Sequence, residues 1–139
     1  MTQGTYASLW AEFSSAHKLY KWAKTQGLNP KSHDDFHMTL AYSRKRIKEL
    51  HKKPIQFVDI FALPYRWRKF GSYLVLECSC YFAVEKHQEY RDMGCTYDFP
   101  DYIPHVTVNE NYMGQLPSVL PDFEIHFDRL IIEELDLTK

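Results

Sequence analysis

The sequence has little of several features that mark particular classes of protein. No apolar run is long enough to cross a bilayer, and the N-terminus lacks the charged-then-apolar layout of a secretory signal. Charge of neither sign dominates, because the sequence contains 17 basic and 18 acidic residues. A near-neutral chain cannot coat long nucleic acid by releasing counterions. These absences predict a protein with no membrane and no long nucleic acid among its partners.

Cysteine is scarce too. The chain has three cysteines, an odd number, at positions 78, 80 and 95. An odd, small set does not form a disulfide framework, so we predict reduced thiols in or near the core and a cytoplasmic location. Cys78 and Cys80 are expected to share one face of a strand.

Apolar and aromatic side chains are plentiful instead. They make up 45% and 16% of the 139 residues, enough to bury something like two thirds of the unfolded surface. One domain spanning residues 1–139 is therefore predicted.

A short motif occurs twice, each time inside an apolar run that is typical of a β-strand. The copies are His37-Met38-Thr39-Leu40 and His105-Val106-Thr107-Val108. Alternate side chains of a strand point the same way, so each His shares a face with its Thr. Two such strands side by side would bring two imidazoles and two hydroxyls to one small space.

The surroundings of the motif repeat as well. A short strand near Tyr6 and another near Tyr73 each precede a stretch with helical spacing, a His-x-Thr strand and a further apolar run. The residues at helical spacing in the first half are Trp10, Phe13, Ala16, Tyr20 and Ala23. Those in the second half are Cys80, Ala83, Val84, His87 and Tyr90, and this helix is expected to end near Gly94. The closing runs are 55–63 and 123–135. This pattern predicts an α+β fold of two pseudo-symmetric strand–helix–strand–strand lobes, about 1–65 and 66–139.

Two imidazoles suit the cleavage of a phosphodiester. One can remove the proton of a 2′-hydroxyl while the other protonates the departing 5′-oxygen. The hydroxyls of Thr39 and Thr107 can donate hydrogen bonds to the phosphate oxygens. No metal or cofactor is needed, and the first product is a 2′,3′-cyclic phosphate.

Two other clusters of side chains have more than one interpretation. Basic residues gather after the first motif and around Trp67, either as a solvated face or as a rim that attracts a small polyanion. Their members are Arg44, Lys45, Arg46, Lys48, Lys52 and Lys53, with Arg66, Arg68 and Lys69. A metal site at His33, Asp34, Asp35 and His37 is disfavoured, because an extended chain would hold the two histidines far apart.

The paired motifs resemble the two-histidine (2H) phosphoesterase superfamily, which has a bilobal α+β fold with antiparallel sheets flanking a central active-site cleft. Within it, the chain resembles the anti-CBASS cyclic-oligonucleotide phosphodiesterases of tailed bacteriophages. Longer strings carry this likeness: Gly4-Thr5-Tyr6-Ala7-Ser8-Leu9, Asp35-Phe36-His37-Met38-Thr39-Leu40-Ala41-Tyr42-Ser43-Arg44-Lys45, Thr96-Tyr97-Asp98-Phe99 and Tyr102-Ile103-Pro104-His105-Val106-Thr107. The resemblance implies a monomeric, metal-independent enzyme in the host bacterial cytoplasm that hydrolyses cyclic di- and trinucleotide signals of CBASS immunity.

The resemblance also implies binding residues. Tyr6 matches a position that stacks on a nucleobase, and Trp67 lies where the family also carries a tryptophan. Both could sandwich a nucleobase, with packing in the hydrophobic core as the alternative. Glu133 and Glu134 fall in a C-terminal lid where an acidic residue reads a base edge. Two alternatives stay open. One is a 2H enzyme that acts on RNA ends or 2′,3′-cyclic phosphates, and the other is a sponge that binds cyclic nucleotides without cleaving them.

Overall fold

Six strands and two helices build the protein, in a computed structural model that describes residues 3–138. In chain order they are β1 (Gln3–Ala11), α1 (Phe13–Thr25), β2 (His37–Ser43), β3 (Ile55–Phe70), β4 (Tyr73–Ser79), α2 (Tyr81–Asp92), β5 (His105–Asn109) and β6 (Ile125–Asp136). Single turns of 3-10 helix, His33–Asp35 and Lys48–Lys52, precede β2 and β3. Within 3–138, neither helix has the length and apolar character to span a membrane.

All strand pairs are antiparallel, and the strands follow one another around a closed ring in the order β1-β2-β5-β4-β3-β6. The third strand of each half of the sequence therefore pairs with the first strand of the other half, β6 with β1 and β3 with β4. Strands β2 and β5, which carry the two motifs, meet at a single residue pair, Met38 with Val106. The ring thus consists of two three-stranded units, β6-β1-β2 and β5-β4-β3, which are joined through β3–β6 on one side and through the motif strands on the other.

Matching irregularities confirm that the halves are related by a pseudo-twofold. In the first half Thr39 pairs with Ser8 but Ala41 pairs with Ala7, so Leu40 is an extra residue in β2. In the second half Thr107 pairs with Val75 and Asn109 with Leu74, so Val108 is the extra residue in β5. A β-bulge bends its strand and often lies near a functional site. Each bulge here directly follows the threonine of a motif.

The outer side of the sheet carries the core. Residues Leu9, Met38, Leu76, Val106 and Leu130 of five different strands are completely buried. Helix α1 packs against β6 and α2 against β2. The buried face of α1 is formed by Ala16, Leu19 and Ala23, and the Glu12 carboxylate caps its N-terminus by accepting from the backbone N–H groups of Ser14 and Ser15.

Several boundaries differ from the sequence-based expectation. Trp10 belongs to β1 rather than to the helix, and Cys80 precedes α2 instead of sharing a strand face with Cys78. All three cysteines are free and buried, as predicted. Strand β3 continues to Phe70, because a register shift near Pro64 lets the chain keep pairing with β4 beyond the proline. The division expected near residue 65 therefore falls inside β3.

Candidate active site

The two motifs face each other across the junction of β2 and β5. Because Met38 pairs with Val106 in antiparallel register, His37 lies across from Thr107 and Thr39 across from His105. All four side chains are partly exposed, whereas Met38 and Val106 between them are buried. We call this side of the sheet the His-Thr face. It combines two imidazoles and two hydroxyls, as the sequence predicted.

Both imidazole rings are oriented in the same way. Nδ1 of His37 is 3.0 Å from the Asp35 carbonyl oxygen, and Nδ1 of His105 is 3.0 Å from that of Ile103. A carbonyl oxygen only accepts, so each Nδ1 carries the proton. Nε2 is then the nitrogen of each ring that can exchange a proton with a ligand.

His37 lies in an apolar setting. The Trp10 indole stacks on it with 4.7 Å between ring centroids, and the Tyr6 ring meets it edge-on at 6.4 Å. Burial lowers the pKa of His37 below its usual 6.5, against the opposing effect of the Asp35 carbonyl. The ring is therefore neutral at pH 7, which is the form that accepts a proton.

The Thr39 segment is fixed from both sides. The Tyr6 hydroxyl lies 2.8 Å from Thr39 Oγ1 on the His-Thr face. Behind it, Tyr102 donates to the Thr39 carbonyl at 2.6 Å, and Nδ1 of His87 donates to the Leu40 carbonyl at 2.8 Å. The bulge frees these carbonyls from the strand ladder, and buried carbonyls need such partners.

The surroundings of His105 are polar by comparison. The residue directly opposite on β4 is Glu77, which is completely buried. Arg66 binds Glu77 Oε1 with nitrogen–oxygen distances of 2.7 and 2.6 Å, while Glu77 Oε2 has no hydrogen-bond partner among the described residues. The Phe70 ring lies 5.8 Å from the His105 ring. A cavity of about 390 Å³ opens beside His105 and Thr107.

The predicted binding residues divide into two groups. Tyr6 and Glu133 are paired on β1 and β6 on the His-Thr face, and the negative charge of Glu133 acts on both Tyr6 and His37. Glu134 points to the other side, where it binds Arg46 at 2.7 Å and lies 3.7 Å from His51. Because successive strand residues alternate faces, only one of the two glutamates reaches the site.

Trp67 is also placed away from the site. Its side chain is only 5% exposed, stacks against Trp22 at 6.2 Å and donates its Nε1–H to the Val119 carbonyl at 2.8 Å. The register shift in β3 turns Trp67 into the core while its neighbours Arg66 and Arg68 stay on the His-Thr face. The indole is packed in the core, and this position gives no support to the expected base-stacking contact of Trp67.

Several of the clustered basic residues form separate ion pairs. Arg44 binds Asp98 through two hydrogen bonds, Arg46 binds Glu134, and Arg66 binds Glu77. The side chains of the disfavoured metal site point to different partners as well, since His33 packs among aromatic rings and Asp34 accepts from Ser32. Over residues 3–138, no group of three or more His, Cys, Asp or Glu side chains is arranged to hold a metal ion.

Sequence reasoning missed several residues of the site. Trp10 could have been found from its alternation with Tyr6 and Ser8 along β1. Glu77 and the aromatic residues of the cavity carry no local signal, because only the pairing of β3, β4 and β5 brings them to the motif. The aromatic residues of the cavity are Phe70, Tyr73, Tyr97 and Phe99.

Known proteins are similar to this chain in both sequence and fold. The family model described as anti-CBASS protein Acb1 matches residues 3–139. The anti-CBASS protein Acb1 of Vibrio phage KVP40 is 34% identical over 139 residues, covering 98% of this chain and 90% of the relative. The Acb1 protein of Escherichia phage RB16 is 29% identical, covering 98% of this chain and 83% of the relative.

Comparison with solved structures identifies the fold without using sequence similarity. E. coli LigT complexed with 3′-AMP superposes with a TM-score of 0.58 at 14% identity, covering 94% of this chain and 86% of LigT. The PDE domain of MHV ns2 has a TM-score of 0.51 at 17% identity, covering 94% and 99%. At such identities the likeness concerns the fold, which is that of the 2H phosphoesterases. The match of the family model to residues 3–139 shows that this protein belongs to the anti-CBASS protein Acb1 family.

Proposed function

We propose that the protein is a metal-independent phosphodiesterase that hydrolyses the 3′,5′ bonds of cyclic di- and trinucleotide signals of bacterial CBASS immunity. The observation that carries this proposal is the crossed arrangement of His37, Thr39, His105 and Thr107, with Nε2 of each imidazole available. Membership of the anti-CBASS family supports the substrate class. The LigT complex with 3′-AMP supports a nucleotide ligand for this fold.

The chemistry follows from the two imidazoles. Nε2 of one His takes the proton of the 2′-hydroxyl, and the 2′-oxygen bonds to phosphorus as the bond from phosphorus to the 5′-oxygen breaks. The other His gives its Nε2 proton to the departing 5′-oxygen. The hydroxyls of Thr39 and Thr107 donate to the non-bridging oxygens, whose negative charge grows in the transition state. The product is a linear chain with a 2′,3′-cyclic phosphate.

The neighbours of the two rings differ and suggest which imidazole plays which part. His37 is stacked on Trp10 and neutral at pH 7, so we assign it as the base. The equivalent neighbour of His105 is the Glu77 carboxylate. Because His37 takes the part of the base, the other imidazole is left to give a proton to the departing oxygen in the same step. We therefore assign His105 as the acid.

A second step opens the cyclic phosphate with the parts exchanged. His105, neutral after the first step, takes a proton from water, and the hydroxide oxygen bonds to phosphorus. The bond from phosphorus to the 2′-oxygen breaks, and protonated His37 gives that oxygen its proton. The final product is a 3′-phosphate, and both imidazoles return to their starting states.

The deciding experiment incubates the purified protein, in excess EDTA, with cyclic di- and trinucleotides and with a linear RNA ending in a 2′,3′-cyclic phosphate. Products are identified by mass. We expect the cyclic nucleotides to become linear. Cleavage of the RNA end alone would point to RNA processing, and recovery of every substrate intact with tight binding would point to a sponge.

Substitution of either imidazole tests the residue assignment. His37→Ala or His105→Ala should each lower kcat by roughly a hundred- to ten-thousandfold, because one proton transfer is lost. His17→Ala, an exposed histidine on α1, is the matched control and should keep normal activity. Circular dichroism should show the same fold in all three variants, and wild-type rates in either motif variant would contradict the assignment.

A further inference from the structure

Four Phe and Tyr rings form part of the wall of the cavity beside His105. Phe70 at the end of β3 and Tyr73 at the start of β4 are paired across a tight turn, and both rings are about half exposed. Phe99 reaches the same cavity from the loop between α2 and β5 and is 65% exposed. Exposed aromatic faces around a concave space are typical of a ligand site rather than of a core.

Charged groups lie at the edge of this cavity. The Arg68 guanidinium sits over the Phe70 ring at 5.2 Å and is 3.7 Å from Glu77 Oε2, and Asp101 lines the opposite loop. A guanidinium donates hydrogen bonds and a carboxylate accepts them. Flat apolar walls with one donor and one acceptor at the rim match the chemistry of a nucleobase.

The loop that carries Phe99 is held firmly to the other half of the protein. Arg44 after β2 binds Asp98 with nitrogen–oxygen distances of 3.0 and 2.9 Å, and the Arg44 backbone N–H donates to Thr96 Oγ1 at 2.8 Å. Tyr97 packs edge-on against His87 at 4.6 Å. These contacts preorganise the Phe99 wall, which lowers the entropic cost of closing it on a ligand.

The pseudo-twofold relates this cavity to the site of Tyr6. Tyr6 lies four positions before Trp10, which faces His37, and Tyr73 lies four positions before Glu77, which faces His105. Tyr6 is paired with Glu133 of β6, and Tyr73 is paired with Phe70 of β3. Each imidazole therefore has a tyrosine at the same place on its neighbouring strand.

We propose that the cavity formed by Phe70, Tyr73, Phe99, Arg68 and Asp101 is a second nucleobase subsite, which holds the base on the His105 side of the scissile phosphate. A cyclic dinucleotide has two bases on opposite sides of its phosphates, and the two related tyrosines lie on opposite sides of the His-Thr face. This inference rests on the proposed function, since it places the base of that substrate. It assigns the substrate a second anchor, separate from Tyr6 and Glu133.

A cycle of changes to protein and ligand tests the subsite. Binding of a cyclic dinucleotide is measured by calorimetry in a His37→Ala background, where the ligand is not cleaved. Phe99→Ala should raise Kd by about five- to a hundredfold, as expected for the loss of one base–aromatic stack. A dinucleotide analogue with one base replaced by hydrogen should bind the parent protein with a similar loss. Combining both changes should add little, because they remove the same contact.

The matched control is Phe13→Ala, which removes an equally exposed ring, at 68% against 65%, from α1. It should leave Kd unchanged, and thermal melting should show that both variants fold. Normal binding by Phe99→Ala, or losses that simply add, would overturn the subsite even if the wild-type protein cleaves the ligand. Coupled losses with no cleavage by the wild type would instead support the subsite and contradict the phosphodiesterase. Absence of any binding would overturn both.

Discussion

At the scale of single residues, the two related imidazoles have unlike neighbours. Trp10 and Glu77 occupy equivalent positions opposite His37 and His105. One neighbour is a stacked indole, and the other is a carboxylate held by Arg66. A symmetric fold can therefore give two related imidazoles different surroundings, and burial lowers the pKa of the one beside the indole.

Replacement of Trp10 should move the pH profile. The base must be neutral, so kcat/KM falls as the pH drops through the pKa of His37, which burial holds below 6.5. Trp10→Ala admits water beside the ring, raises this pKa toward 6.5 and should shift the acidic limb of kcat/KM to higher pH. Trp10→Phe keeps a stacked ring and should leave the limb in place. An unchanged limb in Trp10→Ala would show that His37 is not the base.

At the scale of elements, the register shifts decide which side chains reach the site. The bulges at Leu40 and Val108 follow the motif threonines, and the shift near Pro64 redirects the end of β3. Beyond that shift, Arg66, Arg68 and Phe70 lie on the His-Thr face while Trp67 enters the core. An irregularity of one residue thus exchanges a position on the His-Thr face for a position in the core.

Substitutions of Trp67 should affect stability rather than substrate binding. Trp67→Ala removes a buried indole and its hydrogen bond to Val119, so we expect a loss of about 3–5 kcal/mol in the free energy of unfolding. Trp67→Phe keeps an aromatic ring against Trp22, remains folded and should retain the wild-type KM for a cyclic dinucleotide. Urea unfolding and steady-state kinetics check the two expectations. A raised KM in Trp67→Phe at unchanged stability would return Trp67 to the binding site.

At the scale of the whole molecule, three histidines are held neutral by burial. The pKa values of His37, His51 and His87 all lie below the usual 6.5, with burial as the largest cause in each case. The unfolded chain binds protons at these positions near pH 6 when the folded protein does not. Their contribution to stability is therefore present above pH 6.5 and is lost as the pH falls through the folded pKa values.

Urea unfolding at pH 7.5 and 5.5 measures this linkage. The urea midpoint of the wild type should be lower at pH 5.5 than at pH 7.5. The midpoint of His87→Gln should drop less between the two pH values, because glutamine can still donate to the Leu40 carbonyl but does not titrate. Surface carboxylates with lowered pKa values, Asp98 among them, lose protons well below this range and do not contribute. An equal fall in wild type and His87→Gln would show that His87 takes up no proton on unfolding.

The sequence by itself determined the local features of this protein. Alternation along a strand places each His beside its Thr on one face, and helical spacing with Gly94 gives α2 and its end. Such patterns depend only on residues close in the chain. They were enough to predict two related halves and the chemistry of the motif.

Only the tertiary structure decided which distant residues complete the site. Strands β3 and β6 each pair with the opposite half, and the bulges set their registers. These long-range pairings turned Glu133 toward the imidazoles and Glu134 away, buried Trp67, and set Glu77 opposite His105. A shift of one residue reverses every side chain of a strand, and the energy that fixes the register comes from packing across the whole sheet rather than from the local sequence.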